Sequence, residues 1–268
     1  MDYSALLSTA LQAAIHAGAD IMHIYTDPNQ DFGIEKKADN SPLTLADKAA
    51  HRRIMEYLSD TGIPVLSEEG KHLPYSQRRG WDRLWIVDPL DGTKEFIKKN
   101  GEFTVNIALV ENQVPVMGVI YVPARDILYW GWGQGAFRTL CPCSLPFPHP
   151  STLMAQAEPM PLADSRHDDY VVVASRSHLT PETQLFIDEM QRLHSQVRTV
   201  SSGSSIKICM VAEGTADAYP RYAPTMEWDT AAGDAIARAA GRSVTDSATG
   251  LPLLYNKENL LNPWFLVD

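Results

Sequence analysis

The run Trp85-Ile86-Val87-Asp88-Pro89-Leu90-Asp91-Gly92-Thr93 holds the densest concentration of chemistry in the chain. An apolar strand delivers Asp88 at its C-terminal end. Pro89 then fixes the backbone, and Gly92 permits a tight bend and the close approach of a ligand. Two carboxylates and the carbonyl of Leu90 on one turn offer the oxygen ligands that a hard divalent cation prefers. The amides of Gly92 and Thr93 would face outward where a short helix begins at about Lys94, a place that favours an anion. Taken alone, Asp-x-x-Asp-Gly is also an ordinary strand-to-helix turn with an aspartate cap. Four more acidic residues join it. Glu68-Glu69 follows the short apolar run Val65-Leu66-Ser67, and paired carboxylates repel unless a cation lies between them; a solvated loop is the alternative. Asp229 stands just before a helix of small residues, where an N-cap is the simpler reading. Asp47 lies three residues after Thr44, the capping-box position, which is compatible with a second, functional role.

The elements that must position these groups can be read from periodicity. Leu7, Leu11, Ala14, Ile15, Gly18, Ile21 and Met22 recur at helical spacing over 4–25, and a second helix runs from Thr44 to about Asp60, broken by Gly62 and Pro64. Strands are expected at 65–67, 84–87, 104–110, 114–122, 127–132 and 136–139, with Asn112-Gln113 as a tight hairpin. That is an α+β layer. Six prolines between Pro142 and Pro161 mark the best domain boundary. Beyond it, strands at 170–174 and 197–200, a short strand near Ala218-Tyr219, and helices at 181–193, 205–213 and 230–240 alternate as in α/β proteins. The expected division is an N-terminal α+β metal-binding domain over 1–145 and a C-terminal α/β substrate-binding domain over 160–268.

Composition sets limits on the function. The chain has 268 residues, 44% hydrophobic and 21% charged, ordinary values for a folded globular protein. Its 23 basic and 33 acidic residues give a net charge of −10, which argues against docking on a nucleic-acid duplex but not against a small phosphorylated ligand. Cys141, Cys143 and Cys209 form no zinc-knuckle spacing and fit a reducing compartment. Met1-Asp2-Tyr3 starts neither a basic nor an apolar signal region, and no apolar run reaches 18 residues, so neither a signal peptide nor a transmembrane segment is expected.

Together, Asp47, Glu68-Glu69, Asp88-Pro89-Leu90-Asp91-Gly92-Thr93 and Trp228-Asp229 resemble, in order, the signature of the inositol monophosphatase superfamily of magnesium-dependent, lithium-sensitive phosphomonoesterases. Ser204-Ser205-Ile206-Lys207-Ile208-Cys209, Ala212-Glu213-Gly214-Thr215-Ala216-Asp217 and Tyr219-Pro220-Arg221 are similar to its bacterial 3′(2′),5′-bisphosphate nucleotidase branch, as is Thr93-Lys94-Glu95-Phe96. Ala232-Gly233-Asp234 departs from the Gly-Gly pair of many relatives. The resemblance implies a five-layered αβαβα sandwich, with two or three Mg²⁺ ions at the domain junction. Glu68, Asp88 and the Leu90 carbonyl would hold the first ion and Asp88, Asp91 and Asp229 the second. A hydrated third would use Glu68 and, through water, Asp47. Glu68 and Thr93 would orient and deprotonate the attacking water. The resemblance also implies that Leu90, Asp91, Gly92, Thr93 and Asp229 contact the substrate, here adenosine 3′,5′-bisphosphate hydrolysed to AMP and phosphate, a by-product of sulfur assimilation. Its second phosphate needs cations away from the metals; Lys207 and Arg221 are the candidates, with Ser204 as a neutral donor. A solvated helix face and a surface ion pair are their simpler readings. His178 is a weaker candidate for the nucleotide, and Trp130 and Trp132 read as packing. A homodimer, and a cytoplasmic place or one on the cytoplasmic face of the inner membrane, complete the expectation. An inositol or sugar phosphatase is the alternative within the class; a phosphate- or metal-binding regulator without turnover is the alternative outside it, disfavoured because pure binding needs no water-orienting Thr93.

Overall fold

The computed structural model of the chain describes residues 2–29, 32–37, 42–71, 73–143, 145–165, 168–175 and 180–268. Helix α1 (Tyr3–Thr26) buries Leu7, Leu11, Ile15 and Ile21 as one stripe. A two-stranded ribbon, β1 (Glu35–Lys36) and β2 (Pro42–Leu43), leads into α2 (Leu45–Leu58). The Thr44 hydroxyl accepts from the amides of Ala46 and Asp47, and Asp47 Oδ2 accepts the Thr44 amide at 2.7 Å, completing the capping box.

Seven strands build the main sheet in the spatial order β3 (Val65–Ser67), β4 (Arg83–Asp91), β5 (Thr104–Glu111), β6 (Val114–Val122), β7 (Ile127–Trp132), β8 (Gly135–Leu140) and β9 (Glu158–Met160). All neighbours are antiparallel except β3 and β4. Short helices α3 (Tyr75–Arg78), α4 (Thr93–Ile97) and α5 (Pro150–Ala155) lie in the connections. Asn112 and Gln113 both take positive φ in the β5–β6 hairpin. The proline-rich stretch is more structured than a linker: it holds α5 and β9. Pro159 is tolerated because β9 is an edge strand paired on one side with β8.

The second half adds β10 (Tyr170–Ser175), α6 (Pro181–Leu193), β11 (Val197–Ser202), α7 (Ile206–Glu213), β12 (Tyr219–Arg221), α8 (Glu227–Ala239), β13 (Val244–Asp246) and β14 (Phe265–Val267). β10 and β11 are parallel, β10 bridges to Ala218, and β12, β14 and β13 form an antiparallel group. The layers run α1 with α2, the main sheet, α7 with α8, the second set of strands, and α6: the αβαβα sandwich. Burial on both faces of the main sheet follows the period-two alternation of its strands. On β4, Trp85 and Val87 join the core under α1 and α2, while Leu84 and Ile86 join the core under α7 and α8. Helix α8 lies directly on the sheet. A Cβ at Gly118 would stand 2.1 Å from the carbonyl oxygen of Ala232, so only glycine allows this approach. That close seating brings the N-terminus of α8 to the end of β4.

Candidate active site

Strand β4 does not stop at Asp88, as the sequence suggested, but continues to Asp91. Its register against β5 slips on the way: Asp88 is opposite Asn106 and Asp91 opposite Thr104. Three steps on β4 thus span two on β5, a bulge at Pro89, which has no N–H to give the ladder. In a regular strand, residues three apart point to opposite faces. The bulge lets both carboxylates turn to one place. The structure also moves the start of α8: Asp229 is not a residue before the helix but its third residue, and its Oδ2 accepts the Met226 amide at 2.8 Å. The helix begins earlier because buried Glu227 is fixed by the amides of Asn256 (2.5 Å) and Lys257 (2.9 Å).

Asp88, Asp91 and Asp229 each present an oxygen, and these atoms lie within 4.8 Å of one another. Burial first, then neighbouring negative charge, pushes the Asp88 and Asp229 carboxyls well above the usual carboxylate range. An oxygen-only donor set whose charges repel in a buried place suits a hard divalent cation, which would relieve that repulsion. The Leu90 amide donates to Asp88 Oδ1 at 3.0 Å, and the Leu90 carbonyl lies 3.4 Å from Thr93 Oγ1. The Glu68 carboxyl is also raised by burial, against the pull of Lys37. The cation between Glu68 and Glu69 is the ammonium of Lys37, 2.7 Å from Glu68 Oε1 and in short contact with Glu69 Oε1. Thr93 Oγ1 lies 3.2 Å from Asp47 Oδ1, whose other oxygen is held by Thr44. Asp47 therefore serves the helix cap and the Thr93 hydroxyl at once. Gly92, at φ 92°, starts α4; a Cβ there would meet the Glu102 carbonyl oxygen at 2.9 Å.

Sequence reasoning missed Ser205, Thr104 and Asn106. The amide and hydroxyl of Ser205 lie 2.7 and 2.8 Å from Asp91 Oδ2, and the hydroxyl is also 2.7 Å from the Asp229 carbonyl oxygen. Asn106 donates to that hydroxyl at 2.9 Å, and Thr104 bonds Ser204 at 2.8 Å. The signal was present. Thr104 and Asn106 are polar residues at alternate positions of a strand that is otherwise apolar and buried as far as Val110, and such residues need partners.

The cationic candidates share a pocket with Asp91, Gly92 and Asp229. Lys207 is 5% exposed, so it is not a solvated helix face. Its Nζ donates to the Ser204 carbonyl at 2.5 Å and lies 5.4 Å from the centre of the Tyr219 ring. Ser204, which offers that carbonyl, adopts φ 50°. Arg221 donates to the Pro224 carbonyl at 3.1 Å, and its buried Nε has no partner among the described residues. His178 falls outside the described residues. Trp130 stacks on Phe137 at 5.7 Å within the core under α1.

Residues 2–264 match the model of the inositol monophosphatase family. The chain belongs to this family. Its members are metal-dependent phosphatases, in keeping with the carboxylate cluster. The chain is 43% identical over 266 residues to the 3′(2′),5′-bisphosphate nucleotidase CysQ of Escherichia coli strain K12, covering 98% of this chain and 99% of that protein. It is 58% identical to the crystal structure of CysQ from Bacteroides thetaiotaomicron, with a TM-score of 0.89 over 97% of this chain and 95% of that one. The inositol monophosphatase of Anabaena is 26% identical with a TM-score of 0.71, covering all of this chain and 91% of its own. In this family member the burial of Lys207 has a consequence for stability. Burial holds its ammonium down to about 8, below the ordinary 10.5. The unfolded chain therefore binds more protons between these values, and stability rises with pH across that window. Below pH 8 the buried charge costs up to about 3 kcal/mol. Lys207→Met is expected to remove the rise, so urea denaturation at pH 7.5 and 9.5 should show a larger stability gain in wild type than in the variant.

Proposed function

We propose that this chain hydrolyses the 3′-phosphate of adenosine 3′,5′-bisphosphate, releasing AMP and phosphate. The observation that carries the reading is the position of Lys207 and Arg221, two half-satisfied cations, in one pocket with Asp91 and Asp229. A substrate with one phosphate at the carboxylates and a second some ångströms away has a partner for each. The name of the E. coli relative, a bisphosphate nucleotidase, supports this reading. In it, residues 1–145 form the metal-binding half and residues 160–268 the substrate-binding half.

Glu68, Asp88 and the Leu90 carbonyl would hold one Mg²⁺, Asp88, Asp91 and Asp229 a second, and Glu68 a third with Asp47 acting through water. When bound, these ions supply neutralisation of the phosphoryl oxygens, a more acidic water and stabilisation of the departing ribose oxygen. The chain's own groups do the rest. Thr93 donates a hydrogen bond from its hydroxyl to Asp47, which leaves lone pairs on Oγ1 to accept a hydrogen bond from the attacking water and orient it. Glu68 takes the one proton that this water loses as it attacks phosphorus. The Gly92 and Thr93 amides meet the equatorial oxygens where negative charge spreads in the transition state. Arg221 and Lys207 hold the phosphate that is not cleaved and so fix the reacting one in line. Ser205 keeps Asp91 aimed at the site by occupying its Oδ2.

Phosphate release from adenosine 3′,5′-bisphosphate, inositol 1-phosphate and fructose 1,6-bisphosphate, with and without Mg²⁺, tests this. Turnover should be fastest on the nucleotide, fall below detection in chelator and return with Mg²⁺, because oxygen ligands select hard cations. Full activity in chelator after exhaustive metal removal would overturn the metal assignment. Preference for inositol 1-phosphate would favour the inositol phosphatase reading.

A further inference from the structure

One hydroxyl in the pocket of Lys207 and Arg221 still has a proton to give. Thr225 stands just before α8 and lines that pocket. Its carbonyl accepts the Asn262 amide at 2.9 Å, and its Oγ1 lies 3.2 Å from Asn262 Nδ2. Asn262 is buried, and the same Nδ2 donates to the Met226 carbonyl at 2.8 Å and to Thr230 Oγ1 at 2.9 Å. A carbonyl can only accept, so contact with Met226 identifies the end of the Asn262 side chain that faces these groups as the nitrogen end. An amide nitrogen donates and does not accept. It can therefore give a hydrogen bond to Thr225 but cannot take the Thr225 proton. Thr230, on the same anchor, sends its own proton to the Glu227 carbonyl at 3.3 Å. Among the described residues no oxygen accepts the proton of Thr225.

The neighbours of that hydroxyl indicate what it is for. Arg221 donates to the carbonyl of Pro224, the residue before Thr225, so the guanidinium and the threonine share one end of the pocket. The side chains of Arg221 and Lys207 can only donate. With its oxygen already accepting from Asn262, Thr225 joins them as a third donor. A group that answers three donors must be rich in acceptors, and a phosphate dianion is all acceptor. A neutral hydroxyl, as on an inositol ring, brings a proton of its own and fits such a cluster less well.

We infer that Thr225, held at its carbonyl and its Oγ1 by Asn262, donates a hydrogen bond to the phosphate that is not cleaved, beside Arg221, and so contributes to the choice of a bisphosphate. This rests on the proposed nucleotidase reading of the same pocket. The hydroxyl stays neutral throughout, so its contribution does not depend on the charge state of Lys207.

The test is kcat/KM on adenosine 3′,5′-bisphosphate and on adenosine 3′-monophosphate at saturating Mg²⁺. Thr225→Val keeps the branched shape and removes the hydroxyl. It should lower the value for the bisphosphate roughly tenfold or more, the loss expected for one hydrogen bond to a charged group, and the value for the monophosphate by less than about twofold. Thr225→Ser, which keeps the hydroxyl, should stay within about threefold of wild type on both. Thr225→Ala is a second hydroxyl-free variant should Thr225→Val fold poorly. Equal losses on the two substrates in the hydroxyl-free variants would overturn the inference, because the hydroxyl would then serve the common phosphate, the nucleoside or the fold. A loss in Thr225→Ser as large as in Thr225→Val would overturn it too, since the methyl group would then be what matters. The two levels of failure are distinguishable. If wild type prefers the bisphosphate and the hydroxyl-free variants keep that preference, only the role of Thr225 falls. If wild type shows no preference between the two nucleotides, the pairing of a second phosphate with this pocket falls, and the inference with it.

Discussion

Asp91→Asn should lower kcat on adenosine 3′,5′-bisphosphate by about a hundredfold or more at saturating Mg²⁺, while the protein without metal becomes no less stable. The asparagine carbonyl can still accept from the Ser205 amide and hydroxyl, the two bonds that fix Asp91 now. The local fold therefore survives. What changes is the oxygen aimed into the cluster, which becomes an amide group that offers donors to a cation. The same change removes a negative charge that helps push the Asp88 and Asp229 carboxyls upward. Relief of that repulsion is expected to stabilise the metal-free chain by on the order of 1 kcal/mol. Activity and stability should thus move in opposite directions, measured by phosphate release and by thermal unfolding in chelator. A variant with near-normal kcat would remove Asp91 from the metal site. A variant that loses activity and also unfolds would show that the carboxylate serves the fold through Ser205 rather than the reaction.

Glu68 and Asp88 were legible in the sequence because each follows a short apolar run, and the end of a strand is where a fold exposes side chains to a ligand; Asp47 and Asp229 were legible as helix-start residues. Two details of how they converge were not. The bulge at Pro89 is a property of pairing with β5, so Asp88 and Asp91 could be listed together but not aimed together. The seating of α8 on Gly118 is a contact between residues more than 100 positions apart, which no local pattern reports. The α8 start was misplaced for a related reason. Glu227 is anchored by the distant amides of Asn256 and Lys257, and this tertiary anchor outweighs the local preference of Asp229 for an N-cap. Capping of α2 by Thr44 and Asp47, by contrast, is wholly local and was readable at once. The polar pair Thr104 and Asn106 lies between these cases. Their burial in a strand was predictable, and their partners Ser204 and Ser205 were not, because those lie about 100 residues away.

Substrate choice rests on the pocket's cations, and Arg221→Ala is expected to lower kcat/KM for adenosine 3′,5′-bisphosphate by roughly 10- to 150-fold, since charge-assisted hydrogen bonds to phosphate contribute about 1.5–3 kcal/mol. Adenosine 3′-monophosphate, with no 5′-phosphate, should be almost unaffected. The geometry favours Arg221 for this role. One nitrogen is spent on the Pro224 carbonyl and Nε is buried without a partner among the described residues, so part of the guanidinium fork remains for a ligand. Lys207→Met should act in the same direction but more weakly, because an ammonium has no planar fork and one of its protons is committed to the Ser204 carbonyl. The double variant should lose most of its selectivity between the two nucleotides. Because Arg221 and Lys207 stand in one pocket, their effects need not add, and the ratio of kcat/KM values across the cycle measures the coupling. Equal losses on both substrates in Arg221→Ala would mean that Arg221 acts on the phosphate common to them, or on the fold through Pro224. The second phosphate would then lack its partner, and the preference for a bisphosphate would have to come from elsewhere in the chain.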